Sequence, residues 1–173
     1  MTTVPRPLSS RLLRGILLFP ILLMACHTTE KKKSDGSEAR QIYDMQADGE
    51  AQLTEALTRA QKENKRVLLS LGANWCSDSQ NTFDVLHQDP NLKRLLTDQF
   101  VLAMVDANNR VGFQRNPSII DRYNVDLQRG IPVLLVLAPD GTLLSIDPDQ
   151  VPADSDHESP EKLVQYLESW ETH

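Results

Sequence analysis

Apolar residues recur along the chain at two spacings. In residues 48–64 (DGEAQLTEALTRAQKEN), Leu53, Ala56, Leu57 and Ala60 fall at i, i+3, i+4 and i+7, which predicts a helix. Glu55 and Arg59 form an i, i+4 pair on another face of it. Val67-Leu68-Leu69-Ser70-Leu71 is a nearly continuous apolar run, the pattern of a strand covered on both faces, and Gly72 ends it. Helical spacing resumes over 76–87 (CSDSQNTFDVLH), with Phe83, Leu86 and His87 as inward candidates. Asp89-Pro90 opens a further short helix, PNLKRLLT. Phe100 to Val105 is a second apolar strand, and Pro117 opens a short helix, PSIIDRYN. Val133 to Leu137 is a third strand. Pro139-Asp140-Gly141 is a hairpin turn, and Thr142 to Ile146 returns from it. Ser159-Pro160 caps a closing helix whose apolar stripe is Leu163, Leu167 and Trp170. Strands joined through helices are expected to run parallel, with the hairpin adding an antiparallel edge. The expected product is an α/β domain: a mixed central sheet with helices on both faces.

The first 25 residues have a different pattern. Arg6, Arg11 and Arg14 precede an apolar run, Ile16 to Ala25, interrupted by Pro20. Ten such residues are short for a bilayer of ~30 Å. Positive, then apolar, then small is the order of a secretory signal. Leu23-Met24-Ala25-Cys26 resembles the lipobox of bacterial lipoproteins. That resemblance implies cleavage before Cys26, which then carries the lipid anchor and is no redox thiol. Ordinary cleavage near Ala25, leaving Cys26 free or disulfide-bonded, is the alternative. His27 after the cysteine, in place of an aspartate, favours the outer membrane over the inner. Residues 27–41 (HTTEKKKSDGSEARQ) are polar and aperiodic. The expected division is a signal peptide (1–25), a lipid-anchored flexible tether (26–41) and one domain (42–173). The tether has a mean reach of about 20 Å.

Charge narrows the function classes. The chain of 173 residues carries 24 acidic and 18 basic residues, formal net charge −6. Cleavage removes three arginines and no acid, taking the charge to about −9. That argues against a nucleic-acid partner, which would select a basic surface. An acidic domain is repelled from an anionic membrane and projects into the periplasm. Lys31-Lys32-Lys33 beside the anchor either touches lipid headgroups or is solvated. The acidic loop 147–158 has no calcium-loop spacing. His27, His87, His157 and His173 are scattered and offer no metal-ligand pattern with Cys76, so neither metal nor cofactor is expected.

Three landmarks together resemble the thioredoxin family over roughly residues 48–170. Gly72-Ala73-Asn74-Trp75-Cys76 follows the first buried strand and opens a helix. Arg129-Gly130-Ile131-Pro132 precedes the third strand. Pro139-Asp140-Gly141 makes the terminal hairpin. The resemblance implies a thioredoxin fold, a reactive thiol at Cys76, and a cis peptide before Pro132 beside it. It also implies that the Ile131 backbone pairs with an extended substrate segment, an instance of strand addition. A cysteine at a helix start faces unpaired N–H groups and the positive end of the dipole, which favour the nucleophilic thiolate. Trp75 is expected to shield one side and leave the sulfur accessible. Asp78, in the same turn, opposes the thiolate charge.

Two positions depart from the family pattern. Ser79 stands where a resolving cysteine is usual; it can donate a hydrogen bond to the Cys76 thiolate but cannot form a disulfide. Ser70 stands where many thioredoxins bury an aspartate that helps deprotonate that second thiol. A mixed disulfide formed at Cys76 then needs an external resolving thiol, either on the substrate or from another molecule. Two functions stay open. One is monothiol disulfide exchange with exported proteins that carry cysteines or disulfides. The other is a non-catalytic module that binds peptide beside Pro132 or serves as an envelope adaptor. Whether the chain is an enzyme is open at this point.

Overall fold

A four-stranded sheet in the order β2-β1-β3-β4 organises the domain. The computed structural model describes residues 40–147 and 160–171, all within Ser37–His173, the second of two units into which the chain divides. The expected signal segment, Cys26, tether residues 27–39, loop residues 148–158 and the Ser159 cap lie outside the described residues, as do His27, His157 and His173.

The elements follow the sequence pattern closely: α1 (Gly49–Glu63), β1 (Arg66–Gly72), α2 (Ser77–Gln88), α3 (Pro90–Asp98), β2 (Phe100–Asp106), α4 (Pro117–Arg122), β3 (Val133–Leu137), β4 (Leu143–Ile146) and α5 (Pro160–Glu168). A 3₁₀ turn over Leu127–Arg129 precedes β3. Local chemistry sets the ends. The Asp48 carboxylate accepts from the amides of Glu50 and Ala51, and Asn64 closes α1 in the left-handed conformation. The Asp89 carboxylate likewise caps α3, with Pro90 in its first turn.

The strand residues alternate between two cores. Val67, Leu69 and Leu71 pack with Val101, Ala103 and Val105 against Leu53, Ala56 and Ala60 of α1 and Ile119 and Ile120 of α4. Leu68, Leu134 and Val136 face the other way, against Leu86 of α2, Leu92 and Leu95 of α3, and Leu163 and Leu167 of α5. Each such fully buried leucine contributes roughly 1.5–3 kcal/mol. This is the expected mixed sheet with helices on both faces.

Several details differ from expectation. β1 and β2 are parallel, but β3 is antiparallel to β1 although a helical crossover precedes it. The segment 107–132 is long enough to carry the chain past β1 and turn it round, so the connecting helix does not dictate direction. Arg59 pairs with Glu63, one turn towards the C-terminus, at 3.6 Å, and not with the expected Glu55, one turn towards the N-terminus. His87 points outward: it is exposed, its ring stacks on the half-buried Phe83 at 3.9 Å, and Nδ1 lies 2.7 Å from the Phe83 carbonyl oxygen. Thr82, polar but small, is buried along with Leu86 in their place. Trp170 lies just beyond α5, partly buried against the second core.

Candidate active site

Cys76 is the residue at which β1 has ended and α2 begins. Its backbone is extended (φ −87°, ψ 122°), its carbonyl accepts from Gln80 N, and its side chain does not cap the helix. The thiol points across the sheet end instead and donates to the Ile131 carbonyl at 3.3 Å. The Ile131-Pro132 peptide is cis, and both residues are buried. Cys76, Ile131 and Pro132 are therefore brought together as expected. The sulfur is less open than expected, with Cys76 8% exposed. Trp75 is outside, 39% exposed. Cys76 is the free cysteine among the described residues.

Ser79 does not reach Cys76 in the manner expected. Its side chain is fully buried, and its hydroxyl accepts from the Ala73 amide at 3.3 Å. Helical rise explains this. Three residues into α2, the side chain points back under the preceding turn, onto the strand-to-helix bend. There it joins a buried group of hydroxyls. Tyr43, 1% exposed, sets its hydroxyl 2.8 Å from the Ser70 hydroxyl. Gly72 lies between them: a Cβ built on it would strike the Tyr43 hydroxyl and come within 2.7 Å of Ser79 Oγ. Ser70, at the place of the family's buried acid, is thus a partner of tyrosine.

The loop before Cys76 is held by Asn74, 4% exposed. Its Oδ1 accepts from the amides of Ile42 and Tyr43, both at 2.8 Å. Its Nδ2 donates to the Tyr43 carbonyl at 2.8 Å and to Gln41 Oε1 at 3.0 Å. Gln80 Nε2 donates to the Asn74 carbonyl at 2.6 Å, tying the loop to α2. Arg40 adds an ion pair with Asp84 at 2.7 Å and lies over the Phe83 ring. Arg40 and Gln41, counted with the tether from composition, therefore contact the domain.

The segment after β2 flanks the other side. Trp75 Nε1 donates to Asn108 Oδ1 at 3.1 Å, and the Arg110 guanidinium lies 4.2 Å over the Trp75 ring. Asp106, opposite Gly72 in the ladder, is 2% exposed. Burial pushes its carboxyl above the ordinary range; Arg115 and the Asn108 amide act in the opposite sense. Arg115 Nε is 3.1 Å from Asp106 Oδ2, in ion-pair range but without hydrogen-bond alignment.

Sequence reasoning missed Tyr43, Asn74, Asn108 and Arg110. Ile42-Tyr43 is the one apolar pair in an otherwise polar stretch, which is a usable signal. Asn74 has none, because an asparagine before a tryptophan reads as loop. Among the described residues, no cluster of three or more His, Cys, Asp or Glu side chains could hold a metal.

Comparison with known proteins agrees with this geometry. No curated protein matches the chain. The structure resembles a disulphide isomerase from Xylella fastidiosa Temecula1: 26% identity over 76% of this chain and 97% of that one, TM-score 0.65. It also resembles the C-terminal domain of DsbD from Neisseria meningitidis in the oxidised form, at 18% identity. That match covers 71% of this chain and 96% of that one, with TM-score 0.50, and speaks to the fold alone. The family model for thioredoxin-like proteins matches residues 48–139, more than half of the chain. With the mixed sheet, the helix-start cysteine and the cis-proline in place, the chain belongs to the thioredoxin-like family.

Proposed function

We propose that this protein carries out monothiol disulfide exchange through Cys76, on exported proteins, from a lipid anchor at Cys26. The observation that carries the reading is the pairing of Cys76, at the start of α2, with the Ile131 carbonyl at the cis-proline. The likeness to a protein described as a disulphide isomerase supports the same class of chemistry.

The step balances without a cofactor. The Cys76 thiolate attacks one sulfur of a partner disulfide; that S–S bond breaks, a Cys76–partner bond forms, and the other sulfur leaves as a thiolate. The pairing with Ile131 gives this step a structural consequence. A thiol donates to that carbonyl; a thiolate or a mixed disulfide has no proton to give. The carbonyl is then released to accept from the backbone of the bound segment, with Trp75 beside it. Ser79 cannot attack the mixed disulfide, and its hydroxyl is engaged beneath the site. Resolution falls to an external thiol: a second cysteine of the substrate, which gives isomerisation, or a separate molecule. The order of basic, apolar and small residues before Cys26 supports, on this reading, a domain in the bacterial envelope that faces the periplasm and is held by the outer membrane in preference to the inner.

A second reading is favoured by one observation, the 8% exposure of Cys76. In it the domain binds extended peptide beside Pro132, or acts as an adaptor, without chemistry. Cys76→Ala separates the two. Loss of disulfide-linked partners in cells together with loss of the cellular role supports exchange. A cellular role that survives Cys76→Ala supports the non-catalytic module.

A further inference from the structure

We infer that Arg110 makes the site selective for disulfides flanked by carboxylates, so that the preferred partners are exported segments with acidic residues beside the cysteine. The inference rests on the exchange reading of Cys76 and adds a substrate class to it.

Arg110 is exposed, and its guanidinium lies 4.2 Å over the ring of Trp75, the neighbour of Cys76. The same ring is fixed from its edge by Asn108. A cation on an aromatic face in a hydrogen-bonded frame has a defined place, unlike a freely rotating surface side chain. No carboxylate among the described residues pairs with Arg110, so its charge is available. Arg115, the other cation of this segment, is taken up by buried Asp106. Between Asp106 and Asp121 the sequence contains no acid. Across the site, Arg129 is exposed two residues before Ile131. Asp78, in the first turn of α2, is the opposing charge, and it is half-buried. A protein with formal net charge −6 thus holds a cation on the aromatic neighbour of its thiol. A guanidinium whose face is occupied by an indole still offers its N–H edge to a carboxylate.

The test uses the mature chain and two small disulfides of opposite charge. One is 5,5′-dithiobis(2-nitrobenzoate), with a carboxylate on each half; the other is cystamine, with an ammonium on each half. In each case Cys76 forms one new S–S bond, the probe S–S bond breaks, and half the probe leaves as thiolate. The probe is the oxidant. The quantity read is the ratio of the anionic to the cationic second-order rate constants. Arg110→Glu is expected to lower that ratio about tenfold and Arg110→Ala about threefold, the effect of reversing or removing one nearby charge in a largely aqueous setting. Arg110→Lys keeps most of the ratio, which separates charge from packing. At about 1 M salt the difference between the native chain and Arg110→Glu shrinks. If both probes react at Cys76 and the ratio is the same in the native chain and Arg110→Glu, the inference about Arg110 is overturned while the exchange reading stands. If neither probe reacts at Cys76, both fall.

Discussion

The Tyr43 hydroxyl lies 2.8 Å from the Ser70 hydroxyl, in a buried space directly behind the candidate active site. The two residues are 27 positions apart, and the pairing joins the segment that precedes α1 to the central strand β1. Tyr43→Phe keeps the ring and leaves a buried hydroxyl without this partner. A loss of about 1–2 kcal/mol is expected in urea unfolding. Tyr43→Phe combined with Ser70→Ala is expected to cost less than the sum of the two single changes, because both ends of one bond are then gone.

Gly72→Ala is expected to be more damaging than a methyl group suggests. The new Cβ would collide with the Tyr43 hydroxyl and stand 2.7 Å from Ser79 Oγ. Both are buried and packed, so relief requires Tyr43 to leave its site. A loss of about 1–3 kcal/mol is expected, with the Tyr43 fluorescence environment changed in the folded state.

Asn74→Ala removes one side chain that serves two amides, a carbonyl and Gln41. The Tyr43 amide loses the Asn74 acceptor, and the Ile42 amide is left with the Arg40 carbonyl alone. The expected cost is about 2–4 kcal/mol. Hydrogen exchange should show the Ile42 and Tyr43 amides losing protection first, ahead of β1. Equal protection in the variant and the native chain would show that Asn74 does not hold this segment.

Asp106 gives a pH dependence with a definite sign. Its carboxyl is buried and holds its proton above the ordinary carboxylate range, so the folded state binds that proton more tightly than the unfolded chain does. Its contribution is fully present below the unfolded value, ~3.9. It is lost as pH rises through the folded value. Asp106→Asn removes this decline, and the urea midpoint should fall less on going from acid to neutral pH than in the native chain. Arg115→Ala has the opposite effect: it leaves the carboxylate without its neighbouring cation, and the decline steepens.

The chain's patterning exposed most of the fold in advance. Nearly continuous apolar runs gave β1, β2 and β3, because a strand covered on both faces has no polar side. Asp89, Pro90 and Pro117 marked helix starts through chemistry that acts within a few residues. The direction of β3 was not legible, since a long connection imposes no direction on the strand that follows. Of the site, Cys76, Ile131 and Pro132 were legible as a set because the family motif spans them. Ser79 was legible as an absence of a thiol. What its hydroxyl bonds to was not, because that depends on Ala73, Gly72 and Tyr43 converging from three elements. Arg110 and Asn108 were hidden for a similar reason: their meaning comes from contact with Trp75, 33 residues from Asn108.

The central claim is that Cys76 performs the first step of exchange and that nothing in the domain performs the second. Its most direct test is a time course of the protein mixed with a peptide disulfide, followed by mass spectrometry under non-reducing conditions. The account predicts a covalent adduct at Cys76 that persists until an external thiol is added. In Ser79→Cys it predicts an adduct that disappears unaided, as the introduced thiol displaces the peptide and closes an internal disulfide with Cys76. An adduct in the native chain that resolves without added thiol, or no adduct at Cys76 at all, would contradict it.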